Sequence, residues 1–352
     1  MRKFLLAGCI VIFFNAVLLE EAFAGNNDRA GQAGATELLI NPWARSSGFG
    51  GANSGSVRGL ESMFLNIAGT AFTKKTELMF CHTDYFKGSG ISINTVGFGQ
   101  KIGESGVLSI GLMSMDFGDI EITTPDLPEG NLGTFSPQFL NITASYAKVF
   151  SNSIYGGIAF KIIDESISNL NAGGLAFDAG IQYVTGTSKD KDNIKFGIAL
   201  RNVGPPLTFS GDGLSFKGTV ISSGQTITVE QRVEKFEMPS LINIGITYDH
   251  KFTDMHRLSI SGNFTANSFS NDQFALGLEY AFKENFMLRG GYQYEKDISD
   301  EELKRTANNG LSGGVSVDVP FGKSGKKFGI DYSYTVTNPF DGTHRIGARI
   351  TL

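Results

Sequence analysis

Beyond its first twenty residues the sequence holds no apolar run approaching the roughly 20 residues that a membrane-crossing helix needs, which excludes a helical membrane protein. Cysteine is nearly absent: Cys9 lies in the leading apolar stretch and Cys81 stands alone after it. A fold stapled by disulfides is therefore excluded as well. Charged residues make up only 18% of the chain, and the net charge of -5 is spread over both signs, leaving no basic stripe to hold nucleic acid. The four histidines, His82, His250, His256 and His344, fall in separate segments without metal-ligand spacing. A hydrolase would need a nucleophile and a base within hydrogen-bond reach, and nothing marks such a pair. The composition reads as a non-enzymatic protein without metal or cofactor.

What is present begins with an export signal. Arg2 and Lys3 precede an apolar run from Phe4 to Leu19, followed by Ala22-Phe23-Ala24. This is the layout of a secretory signal peptide, with cleavage expected before Gly25. A lipoprotein box at Leu6-Ala7-Gly8-Cys9 is the competing reading, but it leaves only about five apolar residues before Cys9, below the roughly 7–15 of an h-region.

From Thr76 onward the chain breaks into short alternating segments. Phe274, Leu276, Leu278, Tyr280 and Phe282 interleave with Ala275, Gly277, Glu279 and Ala281. Phe286, Leu288, Tyr292 and Tyr294 interleave with Arg289, Gly291, Gln293 and Glu295. Period two places each set on one face of a strand. The apolar sets are uniform and often end in Tyr or Phe, while the opposite sets suit a narrow polar lumen. About fourteen such segments are found, near 76–86, 89–101, 106–118, 137–150, 153–165, 173–185, 192–203, 239–252, 256–267, 272–283, 286–296, 310–320, 326–337 and 344–352. Most have the length a tilted membrane strand requires.

Loop lengths segregate by parity. Gly103-Glu104-Ser105, Ser151-Asn152, Thr253-Asp254-Met255, Glu284-Asn285 and Phe321 to Gly325 are short, and every long link, near 119–136, 204–238 and 297–309, falls in the other set. Short periplasmic turns and long external loops characterise outer-membrane barrels. The last segment reaches Leu352 in mid-strand, as a closing strand paired with the first would. The expected fold is all-β: an antiparallel transmembrane barrel of about fourteen strands in the outer membrane, with both termini periplasmic and the long loops outside. Residues 1–24 are expected to be the signal peptide, 25–75 an N-terminal extension and hatch, and 76–352 the barrel.

The hatch carries a resemblance. Leu39 to Ala52, including Ala44-Arg45-Ser46-Ser47-Gly48-Phe49-Gly50-Gly51-Ala52, is similar to the "ARAAGMGGA"-type start of the PorV/PorQ family of FadL-like barrels. Glu61 to Gly69 resembles that family's "WNPAGLA" hatch motif, with Ile67 where the family has proline. Met115 to Glu121, Ser145 to Ser151 and Ala176 to Tyr183 resemble its "FGDI", "SYA…LS" and "ADLGALY" strands. The resemblance implies a part in type IX protein secretion. Partners would be the C-terminal sorting domains of secreted cargo and the translocon or attachment-complex proteins, besides outer-membrane lipid. The alternative is a FadL-like channel for hydrophobic small molecules, in which glycine-rich strands such as Gly156-Gly157 and Gly290-Gly291 let the wall kink open.

Other motifs read blandly. Gly322-Lys323-Ser324 lacks the earlier glycine of a phosphate-binding loop, since Val317 stands there, and links two strands. Gly48 to Ala52 has no strand–helix unit around it and is read as close packing in the hatch. Cys81, beside Phe80 but on the other face, is a small filler. Trp43 is read as packing rather than as a functional plug. Candidate hatch residues are Trp43, Arg45, Glu61, Phe64 and Asn66. Two loops are candidate partner surfaces. One carries Asp119, Glu121, Pro125, Asp126 and Glu129, its prolines limiting ordering entropy. The other, with Phe209, Phe216, Ile221 and Ile227, has the pattern of a projecting hairpin.

Overall fold

The apolar set of each long strand points outward. In the strand Gln273–Phe282, Phe274, Leu276, Leu278 and Tyr280 are 44, 53, 54 and 41% exposed, while Ala275 and Ala281 are buried. A water-soluble sheet would bury the first set; this inversion is the signature of a wall that faces lipid. Tyr146, Tyr183, Phe196, Phe286 and Phe328 gird one end, and Phe274, Tyr292, Tyr294 and Tyr332 the other.

The computed structural model describes residues 27–185, 192–322 and 325–352. The expected signal peptide, Gly25 and Asn26 of the hatch, and Lys323 and Ser324 of the Gly322-Lys323-Ser324 turn lie outside the described residues. In chain order the first strands are β1 (Thr76–Tyr85), β2 (Ile91–Ile102), β3 (Gly106–Asp116), β4 (Ile120–Glu121), β5 (Thr134–Phe135) and β6 (Gln138–Val149). There follow β7 (Ile154–Ile167), β8 (Leu170–Val184), β9 (Asp192–Val203), β10 (Ser215–Thr219), β11 (Thr226–Glu230) and β12 (Leu241–Thr253). The last are β13 (His256–Asn267), β14 (Gln273–Phe282), β15 (Phe286–Glu295), β16 (Asn308–Phe321), β17 (Lys326–Thr337) and β18 (Thr343–Thr351).

Fourteen of these close a barrel in the order β1-β2-β3-β6-β7-β8-β9-β12-β13-β14-β15-β16-β17-β18. All neighbours are antiparallel, and β18 returns to β1 through a ladder from Glu77↔Thr351 to Asp84↔His344. The strand count and the alternation follow the sequence reading closely. The remaining four strands form small sheets in the loops, β4 with β5 and β10 with β11, the latter being the hairpin expected from the Thr-Ile-Thr-Val alternation. Between β2 and β3, β6 and β7, β12 and β13, and β14 and β15 the chain turns tightly at one end. The long links after β3, β9 and β15 all lie at the other, here the loop end.

Residues 27–75 fill the lumen. They include two short helices, α1 (Ala44–Gly48) and α2 (Ser62–Leu65), and several 3-10 turns. The segment starts at the loop end: Arg29 pairs with Glu237 at 2.6 Å, its guanidinium lies 4.3 Å from the Phe269 ring, and Gly34 N–H donates to Glu237 O at 3.0 Å. It then descends. Leu38 O accepts from Arg201 and Asn41 O from Arg345, both at 3.0 Å. It finishes at the turn end, where Leu60 N–H donates to Glu77 at 3.2 Å and the Phe72 ring stacks on Tyr155. The expectation that both termini lie at one end is corrected by this path. One pass of the hatch through the lumen carries the N-terminal side of the described chain to the loops and leaves Leu352 at the turns.

Glycine on the inward face makes room for that pass. A Cβ on Gly291 would sit 2.4 Å from Phe49 C, one on Gly245 would sit 2.6 Å from Gly55 N, one on Gly197 2.7 Å from Ser54 O, and one on Gly277 2.7 Å from Phe49 O. These residues are cross-strand partners, Gly197↔Gly245 and Gly277↔Gly291, as are Gly97↔Gly111 and Gly157↔Gly180 elsewhere around the wall. The wall is thus bare backbone where the hatch backbone touches it. At Gly157 and Gly291 glycine serves a tight lumen, and the β7–β8 and β14–β15 ladders run unbroken through them.

Candidate functional site

The hatch is held by side chains from both sides. Asn66, where the family resemblance has its proline one residue later, makes the turn by hydrogen bonding. Its Oδ1 accepts from Ala68 N–H, and its Nδ2 donates to Ser54 O and Ile181 O, each at 3.2 Å. Trp43, 2% exposed, packs with Leu60, Met63, Ile67, Met79 and Cys81; this rules out a membrane-interface position and makes Cys81 part of the plug's packing. Phe64 lies under the Arg201 guanidinium, 3.9 Å from its ring centroid.

Arg45 and Glu61 enter a buried charge network. Glu61 accepts from Ser46 Oγ at 2.8 Å, and Arg45 Nε stands 4.0 Å from Asp331. Asp331 and Asp318 in turn hold Arg349, and Glu279 holds Arg257 and Arg289. Burial, above all, raises the Glu61 carboxyl, partly offset by Arg45. Burial alone would make Arg45 easier to deprotonate, but Glu61 and Asp331 outweigh it and keep the guanidinium charged. The five hatch residues singled out from sequence thus share one plug.

The loop residues do not converge. Asp119 accepts from Ser136 Oγ at 2.5 Å, within its own loop; Glu121, Pro125, Asp126 and Glu129 are exposed. Phe209 packs on Phe236, with ring centroids 5.5 Å apart, and Phe216, Ile221 and Ile227 are exposed on or beside the β10–β11 hairpin. β7 and β8 separate the stems of the two loops around the wall. His82 is exposed on the outer face and meets Asn94 at 2.8 Å, while His256 and His344 meet Tyr280 and Tyr332.

Two chambers flank the plug. The one toward the turns, about 880 Å³, is lined by the charged Arg58, Glu61, Lys195, Asp249, Arg257, Glu279, Glu284 and Arg289 together with Phe49, Val57 and Phe72. The one toward the loops, about 390 Å³, has a mixed lining in which Leu39, Ile40, Phe64, Leu65 and Tyr85 form an apolar part of the wall. Polar groups interrupt it, Arg201 lying on the Phe64 ring and Arg345 reaching Asn41 O beside Ile40, with Glu295 and Gln293 also lining the chamber. Behind Ile40 and Tyr85 the apolar wall continues into Ile93, Met113, Met115, Phe117 and Phe139. Phe64 separates this chamber from a pocket of about 50 Å³ lined by Trp43, Leu38, Met63 and Met113. These inward apolar residues were missed in the sequence. A trace was present: at the outer end of β3, Leu112, Met113 and Met115 make both faces apolar where the inner one is elsewhere small or polar.

Glu37 was missed as well. It is 2% exposed and neither carboxylate oxygen has a hydrogen-bond partner. Burial first, then the negative charge of Glu165, pushes its carboxyl up to about 7. A folded-state value above the ordinary 4.5 means the folded chain holds a proton that the unfolded chain releases between those two values. Stability is therefore expected to fall as pH rises from about 4.5 to 7, by at most about 3 kcal/mol. In buffer free of divalent ions, the melting temperature should drop between pH 5 and 8, and Glu37→Gln should flatten that slope. An unchanged slope in the variant would place its origin elsewhere.

A closed fourteen-strand antiparallel barrel with a lumenal N-terminal plug is a transmembrane-barrel fold that solved structures share. The toluene transporter TodX of Pseudomonas putida superposes with a TM-score of 0.56 at 12% identity, covering 88% of this chain and 97% of its own. The toluene transporter TbuX of Ralstonia pickettii gives 0.52 at 14% identity, covering 88% and 97%. A FadL homologue from Pseudomonas aeruginosa gives 0.49 at 12% identity over 87% and 96%. At such identities the first two establish the fold and nothing finer. The chain matches no protein-family model and no curated protein.

Proposed function

We propose that this barrel sits in the outer membrane, with its long loops outside, and admits small apolar molecules from the loop end. The observation that carries the reading is the group of apolar side chains Leu39, Ile40, Phe64, Leu65 and Tyr85 that line part of the upper chamber, with the apolar cluster behind Ile40 and Tyr85. Its volume of about 390 Å³ falls within the usual range for a small-molecule site. Methionines at Met113 and Met115 give the wall an adaptable surface. The barrels of the same fold named above are toluene transporters, which agrees with this ligand class.

Trp43 is the only tryptophan and lines the adjoining pocket, so its emission reports occupancy. Titration of the purified barrel with toluene should give a saturable change. Ile40→Glu, which sets a charge in the apolar wall, should weaken it at least tenfold, since tenfold is about 1.4 kcal/mol. The absence of any saturable response to toluene and longer hydrocarbons would refute the reading.

A second reading, a binding component of type IX secretion, is favoured by one observation. The long loops expose apolar side chains away from the lipid band: Leu127 at 46%, Leu132 at 44%, Phe216 at 54% and Ile221 at 100%. Exposed apolar groups of this kind serve protein contacts. Affinity purification from native membranes separates the two readings. Recovery of secreted proteins sharing one C-terminal domain, or of a large translocon barrel, supports the second; recovery of lipid or hydrocarbon alone supports the first.

A further inference from the structure

A concentration of unpaired oxygen lies where the hatch meets β6 and β7 near the loop end. Glu37, Asn141 and Glu165 are 2, 6 and 4% exposed. Among the described residues, both carboxylate oxygens of Glu37, Oδ1 of Asn141 and Oε1 of Glu165 are buried with no partner at full hydrogen-bond geometry, although the Asn141 side chain lies near Glu37 and the Ala35 backbone near Glu165. Asn141 faces Ile163 across the β6–β7 ladder, which places Glu165 one inward position beyond it on the adjacent strand. Glu37 and Asn141 line the same pocket, and the charge of Glu165 acts on Glu37 directly.

Two carboxylates in such a place must take up a proton or share a cation. Among the described residues no basic side chain forms an ion pair with Glu37 or Glu165. Lys161 is held by Asp178 at 2.6 Å and Asn202 at 2.7 Å, Arg201 by Leu38 O and the Phe64 ring, and Arg345 by Asn41 O and Thr335.

We propose that Glu37, Glu165 and Asn141 form a divalent-cation site, suited to calcium, that fastens the outer part of the hatch to the wall. The donors are all hard oxygens, and two carboxylates match the charge of a divalent ion. Adjacent-strand positions lie close enough for one ion to bridge them, with water completing the six to eight ligands calcium takes. A loop-end position faces a medium where a site of 10⁻⁴–10⁻³ M affinity, common in extracellular modules, is occupied. The site does not depend on the apolar-ligand reading, since none of its three donors lines the chamber of Ile40.

The test uses the full barrel refolded in detergent free of lipopolysaccharide, stripped with EDTA at pH 8, then titrated with calcium chloride against sodium chloride of equal ionic strength. Trp43, which lines the pocket with Glu37 and Asn141, should change emission saturably, and the melting temperature should rise by several degrees. Glu37→Gln and Glu165→Gln, near-isosteric changes, should each lose both responses while folding. Absence of a calcium response in the wild-type barrel, or its retention in both variants, overturns the proposal. A response to acidification from pH 8 to 6 without one to calcium also overturns it, and assigns the pair a shared proton instead.

Discussion

Gly291→Leu and Gly245→Leu are each expected to prevent the plugged barrel from forming, while Gly290→Leu leaves it intact. At the two inward sites the first side-chain carbon already falls 2.4 Å and 2.1 Å from hatch atoms, Phe49 C and Ser54 Oγ. At Gly291 the obstacle is backbone, which cannot rotate aside as a side chain can. Overpacking a well-filled interior costs about 1–3 kcal/mol, and a leucine against fixed backbone exceeds that range. Gly290 is the neighbouring residue on the same strand but faces outward, where the nearest atom to an added Cβ is Ser312 O at 4.0 Å. Leucine there merely extends the lipid-facing band. Folded barrels resist SDS until heated, so unheated gels read the outcome directly. Normal heat-modifiable migration of Gly291→Leu would mean that the hatch is not seated against the wall as described.

The second large effect is one of sidedness. Cysteine placed at Gln32 should react with a membrane-impermeant maleimide on intact cells, as should cysteine at Asp126 in the long loop after β3. Cysteine at Glu104, in the β2–β3 turn, should react only after the membrane is opened. All three positions are exposed, and the native Cys81 is fully buried and stays silent. The contrast expected is all or none. Labelling of Gln32→Cys together with Glu104→Cys would show that the N-terminal segment does not cross the lumen. Labelling of Glu104→Cys alone would invert the proposed orientation.

The wall was legible in the sequence because its physics is local. Side chains alternate along each strand, lipid demands one uniform face, and turn length reports which end of the barrel a link occupies. Those constraints act within ten or twelve residues, so segments such as 192–203, 256–267 and 326–337 could be delimited from sequence at the bounds the strands take. The plug was only partly legible. Trp43, Arg45, Glu61, Phe64 and Asn66 stood out by composition and by resemblance, but the direction in which the hatch crosses the lumen is set by long-range contacts such as Arg29 with Glu237 and Asn41 with Arg345. No periodicity encodes those. Glu37 was invisible for a related reason: a glutamate beside two leucines reads as a surface residue until the charge of Glu165, 128 positions later, is seen to act on it. Asp119 and its neighbours show the opposite error, since prolines and acids mark a loop as exposed without saying what it meets.

The path of the hatch also constrains how the molecule can be assembled. Either the seam between Thr76–Tyr85 and Thr343–Thr351 is joined around a cord already lying in place, or the end of the cord is threaded through a ring already closed. The finished molecule is a bead formed on its own string. In either order, a folded domain fused ahead of the hatch would act as a stopper knot, too wide to pass the ring.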